Sequence, residues 1–280
     1  MTCWTDPDAV LRALRGRPAF AAPGLVGSPG YTLPAFRAPL EIDPAAPGAA
    51  ALLLERGIEL HGPPGEGNRI VVEEAVTGLD LKLYLNRRRD TLLLIPGQRQ
   101  VLRGIIRVEG DGNAIALGEA GETSCQVTAV LRSTAAGLFI GKGTTSGGIQ
   151  CWLEGRETSL HIGDDCLLSW GIWFRLADSH AMIDLRSRAM VNPPRSIRVE
   201  PHVWIGQDAI LMPGAEVGAG SIIGARSIVT RPVPRAVVAV GAPARPVRRE
   251  VSWTRSSAPR PSQIDAIYDM PLMPALDEVA

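Results

Sequence analysis

The sequence predicts an all-β solenoid of parallel strands, preceded by an irregular and partly helical N-terminal segment. Branched apolar residues recur at every sixth position late in the chain, and a smaller residue lies two positions before most of them. The composition fits a slender structure with many turns. Aromatic residues make up only 5% of the chain, whereas glycine occurs 30 times and proline 23 times.

The six-residue repeat lies between Ile197 and Val229. The large residues are Val199, Ile205, Leu211, Val217, Ile223 and Val229, and the residues two positions earlier are Ile197, Val203, Ala209, Ala215, Ser221 and Ser227. In a helix, six residues turn the side-chain direction by about 240°, so this set would form no stripe. In a strand, alternate side chains share a face, so both series point the same way. Because glycines and Pro213 interrupt any long strand, the pattern predicts short strands and turns wound into coils.

The N-terminal and middle parts of the chain differ from this repeat. Residues 1–66 are an irregular segment, in which Asp6 and Pro7 predict the start of a helix that runs to Arg15. A second short helix is predicted from Ala50 and stops at Gly57. Residues 67–160 are strand-like, but their glycines are spaced more widely than three hexads. We therefore expect imperfect coils with bulging turns there.

The C-terminal part contains the regular coils and two irregular stretches. Within residues 161–250, the segment 178–196 breaks the phase of the hexads and is predicted to be an inserted loop. The region 231–250 is expected to cap the open end of the solenoid. Residues 251–280 form a tail, for which two interpretations stay open: an ordered arm on a neighbouring subunit, or a disordered end.

Composition excludes several classes of protein. The formal net charge is zero, so no overall field attracts the chain to nucleic acid or to a membrane surface. No apolar run is long enough to span a bilayer, and the N-terminus lacks the core of a signal peptide. The cysteines form no CxxC pair and have no histidine at metal-ligand spacing, so we expect reduced thiols, no metal site and a cytoplasmic location.

The repeat resembles the hexapeptide repeat of left-handed parallel β-helix acyltransferases. A second resemblance, to sugar O-acetyltransferases of the polysaccharide type, rests on Asp178-Ser179-His180, then Asn192-Pro193, then Val203-Trp204-Ile205-Gly206. It implies left-handed coils and a homotrimer with active sites between subunits. It also implies transfer of an acetyl group from acetyl-CoA to a sugar hydroxyl, in the biosynthesis of a surface polysaccharide or glycoconjugate.

The candidate catalytic residue is His180. A loop histidine near the carboxylates of Asp178 and Asp184 suits a general base at neutral pH. The residues alone favour a surface histidine with one hydrogen bond, but the resemblance implies the catalytic role. Either Asp178 or Asp184 would orient the imidazole, as the acidic member of a triad does. The sequence does not choose between them, and either could instead cap a turn.

The resemblance also implies a site for the donor, whereas the acceptor candidates come from residues in and beside the inserted loop. Matching motifs place acetyl-CoA, the donor, beside Gln207, Ala225, Thr230, Arg231, Arg245 and Arg248. Arginines suit the phosphates of CoA because they present paired donors, although a proline-rich end cap with solvated arginines is a compatible interpretation. The candidates for contact with the sugar acceptor are Trp173, Arg186 and Asn192.

Two other functions remain compatible with the sequence. A β-helix without catalytic activity would serve as a scaffold or an assembly subunit. An N-acyltransferase of an amino sugar would use the same residues on a different acceptor. The loop histidine together with Arg231 and Arg245 favours an enzyme over a scaffold, because a scaffold has no need of them.

Overall fold

The computed structural model describes residues 3–21, 26–98, 100–121 and 123–270. It confirms the predicted solenoid of parallel strands and the partly helical N-terminal segment. The helices are α1 (Pro7–Arg15), α2 (Ala49–Leu54) and α3 (Pro261–Tyr268). The strands are β1 (Pro39–Ile42), β2 (Ile58–His61), β3 (Arg69–Glu73), β4 (Leu79–Tyr84), β5 (Leu92–Ile95), β6 (Leu102–Val108), β7 (Ala114–Leu117), β8 (Cys125–Leu131), β9 (Gly137–Ile140), β10 (Thr145–Leu153), β11 (Ser159–Ile162), β12 (Leu167–Arg175), β13 (Ile197–Val199), β14 (Trp204–Ile205), β15 (Ile210–Leu211), β16 (Glu216–Val217), β17 (Ile222–Ile223), β18 (Ile228–Val229), β19 (Val237–Gly241) and β20 (Ala244–Arg249).

The strands form three faces, which the chain visits in the same order in every coil. The first face is the sheet β1-β3-β5-β7-β9-β11-β13-β16. The second and third faces share the long strands of the other sheet. Its strand β12 pairs with β14 through Leu167 and Leu168, and with β15 through Trp173 and Phe174. Strands β14, β17 and β19 therefore lie on the second face, and β2, β15 and β18 lie on the third.

The coils have two sizes. Before the inserted loop, register partners on successive coils are 22 or 23 residues apart, as from Arg69 to Leu92 and from Leu92 to Ala114. After the loop the separation is 18 residues as far as β18, as from Trp204 to Ile222, and the last step, from Ile222 to Val238, is 16 residues. The larger coils agree with the wide glycine spacing in the sequence. They begin earlier than predicted, because β2 at Ile58 already pairs in parallel with β4.

The predicted inward positions fill the interior of the solenoid. The six large hexad residues are at most 1% exposed, and the six smaller residues before them are fully buried. The two serines of the smaller series satisfy their hydroxyl groups inside: Ser221 Oγ donates to the carbonyl of Pro234 at 2.7 Å, and Ser227 Oγ accepts from Gly241 N–H. A slim column beside a large one fits the narrow space between three faces.

The N-terminal segment covers the outside of the first face. Trp4, Val10, Leu14, Phe20 and Phe36 form one apolar cluster with outward residues of β3, β5, β7 and β9. These four strands are therefore apolar on both sides, which explains sequences such as LLLI and AIAL. The predicted helix from Pro7 to Arg15, with Asp6 as its N-cap, is confirmed.

Gly57 follows α2, as predicted. It has φ +77°, and a Cβ there would collide with the carbonyl of Leu79. Within the described residues, no helix is long and apolar enough to cross a bilayer.

The C-terminal segment caps the solenoid and then folds back over the second face. Strands β19 and β20 form the antiparallel hairpin that ends this face. The buried Trp253 then stacks on His202 at 4.3 Å between ring centroids, and His202 Nδ1 lies 2.7 Å from Asp165 Oδ2. Arg255 donates to Asp165 Oδ1 at 2.8 Å through Nη2 and at 3.0 Å through Nε. The start of the predicted tail, at Trp253 and Arg255, thus packs on its own chain, and residues 271–280 lie outside the described residues.

We expect acid to release this C-terminal segment. Burial raises the pKa of Asp165, but the hydrogen bond with His202 and the charge of Arg255 lower it by more. The pKa of Asp165 in the folded protein therefore lies below its normal value. Because the pKa of Asp165 is lower in the folded than in the unfolded state, its carboxylate stabilises the segment at pH values above the unfolded-state pKa of about 3.9. This stabilisation is lost as the pH falls through the folded-state pKa. Tryptophan quenching, with Trp253→Phe as reference, should show Trp253 becoming accessible below about pH 4. Asp165→Asn should already expose it at neutral pH, whereas the surface variant Glu157→Gln should not.

Candidate active site

The inserted loop is a short hairpin that leaves the solenoid at the corner between the third and first faces. The N–H of Asp184 donates to the carbonyl of Ala189 and that of Val191 to Met182, both at 2.9 Å. Asp184 Oδ1 accepts from Ser187 N–H at 2.6 Å and from Ser187 Oγ at 2.9 Å. These hydrogen bonds, with one from Arg186 N–H, lower the pKa of Asp184.

The expected orienting role of Asp184 is therefore corrected. Its carboxylate caps the tip of the hairpin, which is the alternative that the sequence left open, and it does not line the cleft that holds His180. Arg186 belongs to the same exposed tip. Both residues lie outside the cleft because the loop folds as a hairpin and carries its tip away from the solenoid.

His180 lies at the base of the hairpin, in a cleft of about 570 Å³. Its side chain is exposed, and the cleft is also lined by Asp178, Asn192, Glu154, Arg132 and Met190. Asn192 connects the two arms of the loop. Its Nδ2 donates to Asp178 Oδ2 at 2.9 Å and to the carbonyl of His180 at 2.8 Å, and its Oδ1 accepts from Met182 N–H at 2.6 Å.

Ser179, next to His180, is held by a group of residues that the sequence did not reveal. Its φ of +62° is in the left-handed region, which is unfavourable for a residue other than glycine. The hydroxyl donates to Glu154 Oε2 at 2.7 Å and accepts from Arg175 Nη2 at 3.1 Å. Glu154 Oε1 in turn accepts from Arg132 at 3.0 Å. These contacts join three successive coils, and only the coil length of 22–23 residues could have indicated them.

Four of the candidate donor residues lie away from the corner that holds His180. Gln207 and Ala225 are exposed at the corner between the second and third faces, on successive coils: the N–H of Arg226 donates to the carbonyl of Gln207 at 2.8 Å. Arg245 and Arg248 are exposed on β20, opposite Val240 and Val238.

Two further donor candidates lie at the corner from which the loop of His180 also leaves the solenoid. Thr230 and Arg231 are exposed after β18, at the corner between the third and first faces. His180, Thr230 and Arg231 therefore lie at one edge of the third face, and Gln207 and Ala225 lie at the other edge.

Trp173 lies on the third face and does not line the cleft. It is half-buried and packs on Trp152, with ring centroids 5.8 Å apart. Trp173 is part of the sheet, in β12 beside Ile210 of β15, and lies outside the inserted loop. Of the three acceptor candidates, only Asn192 is in the cleft with His180.

The fold and repeat define a hexapeptide-repeat β-solenoid protein. Residues 196–231 match the model of the bacterial transferase hexapeptide family (six repeats). The chain is also similar to a solved structure, the polySia-specific acetyltransferase NeuO, with a TM-score of 0.64 and 25% identity. That similarity covers 72% of this chain and 84% of the other.

The chain also matches curated relatives over part of its length. It is 29% identical over 120 residues to polysialic acid O-acetyltransferase of Escherichia coli O1:K1 / APEC, covering 42% of this chain and 38% of the relative. It is 33% identical over 97 residues to galactoside O-acetyltransferase of Lactococcus lactis, covering 34% and 45% respectively. The chain thus spans less than half the length of these relatives.

Proposed function

We propose that the protein is an acetyl-CoA-dependent O-acetyltransferase that acts on a sugar hydroxyl of a surface polysaccharide or glycoconjugate. The single observation that carries the proposal is the exposed imidazole of His180, in a cleft whose walls hold the backbone around it. The similarity to sugar O-acetyltransferases supports the choice of reaction.

In the proposed mechanism, His180 acts as a general base. The imidazole removes the proton of the sugar hydroxyl, and the oxygen attacks the thioester carbonyl of acetyl-CoA. A backbone N–H stabilises the negative oxygen of the tetrahedral intermediate. When this intermediate collapses, the imidazolium returns the proton to the sulfur of CoA. Asp178, held by Asn192, is the candidate for stabilising the charged imidazole.

The division of the candidate residues supports a site between two copies of the chain. One chain places His180 at one edge of the third face and Gln207 and Ala225 at the other. Acetyl-CoA bound beside Gln207 and Ala225 therefore needs the His180 of a neighbouring copy. The hairpin also exposes apolar side chains, with Leu185 91% and Met182 55% exposed. We therefore propose a homotrimer. Light scattering should give about three times the mass of the chain, and a monomer that is fully active would contradict the shared site.

Thiol release from acetyl-CoA tests the function. We expect release that depends on an acceptor when the protein is given a panel of galactosides, amino sugars, and neutral and acidic oligosaccharides. Release with amino sugars alone would favour N-acylation. No release with any acceptor, from protein that is folded and oligomeric, would favour the scaffold.

Two variants of Ser179 should separate its hydroxyl group from its backbone conformation. Ser179→Gly removes the strain of a positive φ but also removes the hydroxyl that Glu154 and Arg175 hold, whereas Ser179→Ala removes the hydroxyl and keeps the strain. We expect the stability of the glycine variant to equal that of the alanine variant or to exceed it by up to about 1 kcal/mol. Both should lower kcat by roughly tenfold if misplacement of His180 is the cause. A glycine variant with full kcat would show that these contacts do not position the histidine.

A further inference from the structure

Among the described residues, no segment covers the third face of the solenoid. Residues of the N-terminal segment pack on the first face, and the segment after β20 packs on the second. On the third face, one outward column of side chains is His61, Tyr84, Arg107, Val130, Trp152 and Arg175, which are register partners from β2 to β12. We call this column the arginine–aromatic row.

Neighbouring members of the row stack on one another. Arg107 lies over the ring of Tyr84 at 4.7 Å, and His61 stacks on the other side of Tyr84 at 4.4 Å with an angle of 9° between the planes. Trp152 is contacted by Arg175 at 5.4 Å and by Arg132 at 4.3 Å. Rings that are covered in this way offer little of their faces to a ligand. They hold the guanidinium groups flat instead, with hydrogen-bond donors at the edges.

The row carries positive charge that the described part of the chain does not neutralise. Glu109 and Glu154 both pair with Arg132, and Glu59 pairs with His61 and lies 4.0 Å from Lys82. Within the described residues, Arg107 and Arg175 have no carboxylate partner within salt-bridge distance. Arg175 donates only to the hydroxyl of Ser179, and Arg107 is exposed. Such preorganised guanidinium groups are suited to carboxylates, which they bind through paired hydrogen bonds.

The row is continuous with the cleft of His180. Arg132 lines the cleft and stacks on Trp152, and Arg175 donates to Ser179, the residue before His180. From Arg175 to Arg107 the row crosses three strand-to-strand steps, or roughly 14 Å. That length exceeds a single sugar ring, so a ligand that reaches Arg107 from the cleft must be a chain.

We propose that the arginine–aromatic row binds the acceptor as an extended acidic glycan, with one sugar at His180 and the carboxylates of other units on Arg175 and Arg107. This inference rests on the proposed function, because the reaction proposed for the cleft is what identifies the bound ligand as a glycan. The formal net charge of the chain is zero, so the positive charge of the row is a local feature. It does not come from an overall attraction of the protein to polyanions.

Arg107→Gln tests the proposal away from the cleft. With a long acidic oligosaccharide as acceptor, such as oligosialic or oligogalacturonic acid, we expect KM to rise roughly tenfold with kcat unchanged, because the lost contact is equal in ground and transition states. With the corresponding disaccharide, and with a neutral oligosaccharide of equal length, KM should stay the same. Arg107→Lys keeps the charge without the planar stack and should be intermediate. The matched control is Arg103→Gln, on the same strand and equally exposed, but on the second face.

A binding measurement without acetyl-CoA separates this proposal from the proposed function. Calorimetry should show that the wild-type protein binds the long acidic oligosaccharide, and that Arg107→Gln binds it roughly tenfold more weakly. If binding is as expected but no thiol is released, the reaction is wrong and the row stands. The row is overturned if no acidic oligosaccharide binds, if Arg107→Gln matches the wild type, or if the control or the neutral acceptor is affected equally.

Discussion

His180→Ala is expected to lower kcat/KM for acetyl transfer by about 10²- to 10⁴-fold, the usual contribution of a general base. Without the imidazole, the sugar hydroxyl would have to attack with its proton still attached. The side chain is exposed and only the backbone of His180 is held by Asn192. The substitution should therefore leave folding and assembly intact.

The measurement is thiol release with saturating acetyl-CoA, together with thermal unfolding and light scattering of the same protein. Arg156→Gln is a suitable control, since Arg156 lies at the same corner, is 78% exposed and pairs only with its neighbour Glu157. It should behave as the wild type. An alanine variant that keeps most of its activity would remove His180 from the mechanism, whatever its stability.

Phe174→Ala is expected to destabilise the protein by about 3–5 kcal/mol, as deletion of a buried aromatic ring does. Phe174 is fully buried, and its register partner is Leu211 on the next coil, where the coils change from the larger to the smaller size. The walls of a solenoid are tied to neighbouring coils by hydrogen bonds along the sheets, so they cannot easily collapse into the cavity.

Denaturant unfolding followed by circular dichroism measures this effect. Trp173→Ala would disturb the stacking on the third face, so the better control is Ile210→Ala, a half-buried outward residue on the strand that pairs with β12. It should cost much less than Phe174→Ala. A loss below about 1 kcal/mol for Phe174→Ala would mean that the coils can repack. Because repeat proteins can unfold in stages, transitions from more than one probe should be compared.

The hexads after Ile197 were predictable because one rule of spacing fixes both which side chains are buried and where the turns fall. The earlier coils were less predictable. Their strands are long enough to bend across two faces, as β10 does at Gly148, and such a bend destroys a six-residue pattern. The cover of the first face was not predictable either. Trp4, Val10 and Phe20 follow no period that points to a partner sheet.

The candidate site was predictable only in part. The loop was predictable because it interrupts a regular pattern, and His180 was singled out within it only through the resemblance to sugar O-acetyltransferases. The contacts of Ser179 with Glu154 and Arg175 were missed, because they depend on which residues of successive coils lie above one another. The separation of His180 from Gln207 likewise depends on which corner each residue occupies. The sequence gives the order of the corners only after the faces have been assigned.

The two antiparallel strands at the margins of the sheets have a consequence for solubility. A stack of parallel strands would otherwise present unpaired backbone groups at both ends, where further copies could add and grow into a filament. At one end β1 runs antiparallel to β3, and at the other β20 runs antiparallel to β19 and carries Arg245, Arg248 and Arg249. A reversed strand does not continue the winding of the coils, and the arginines repel a second copy of themselves. The protein is thus protected at these margins from growth into fibrils.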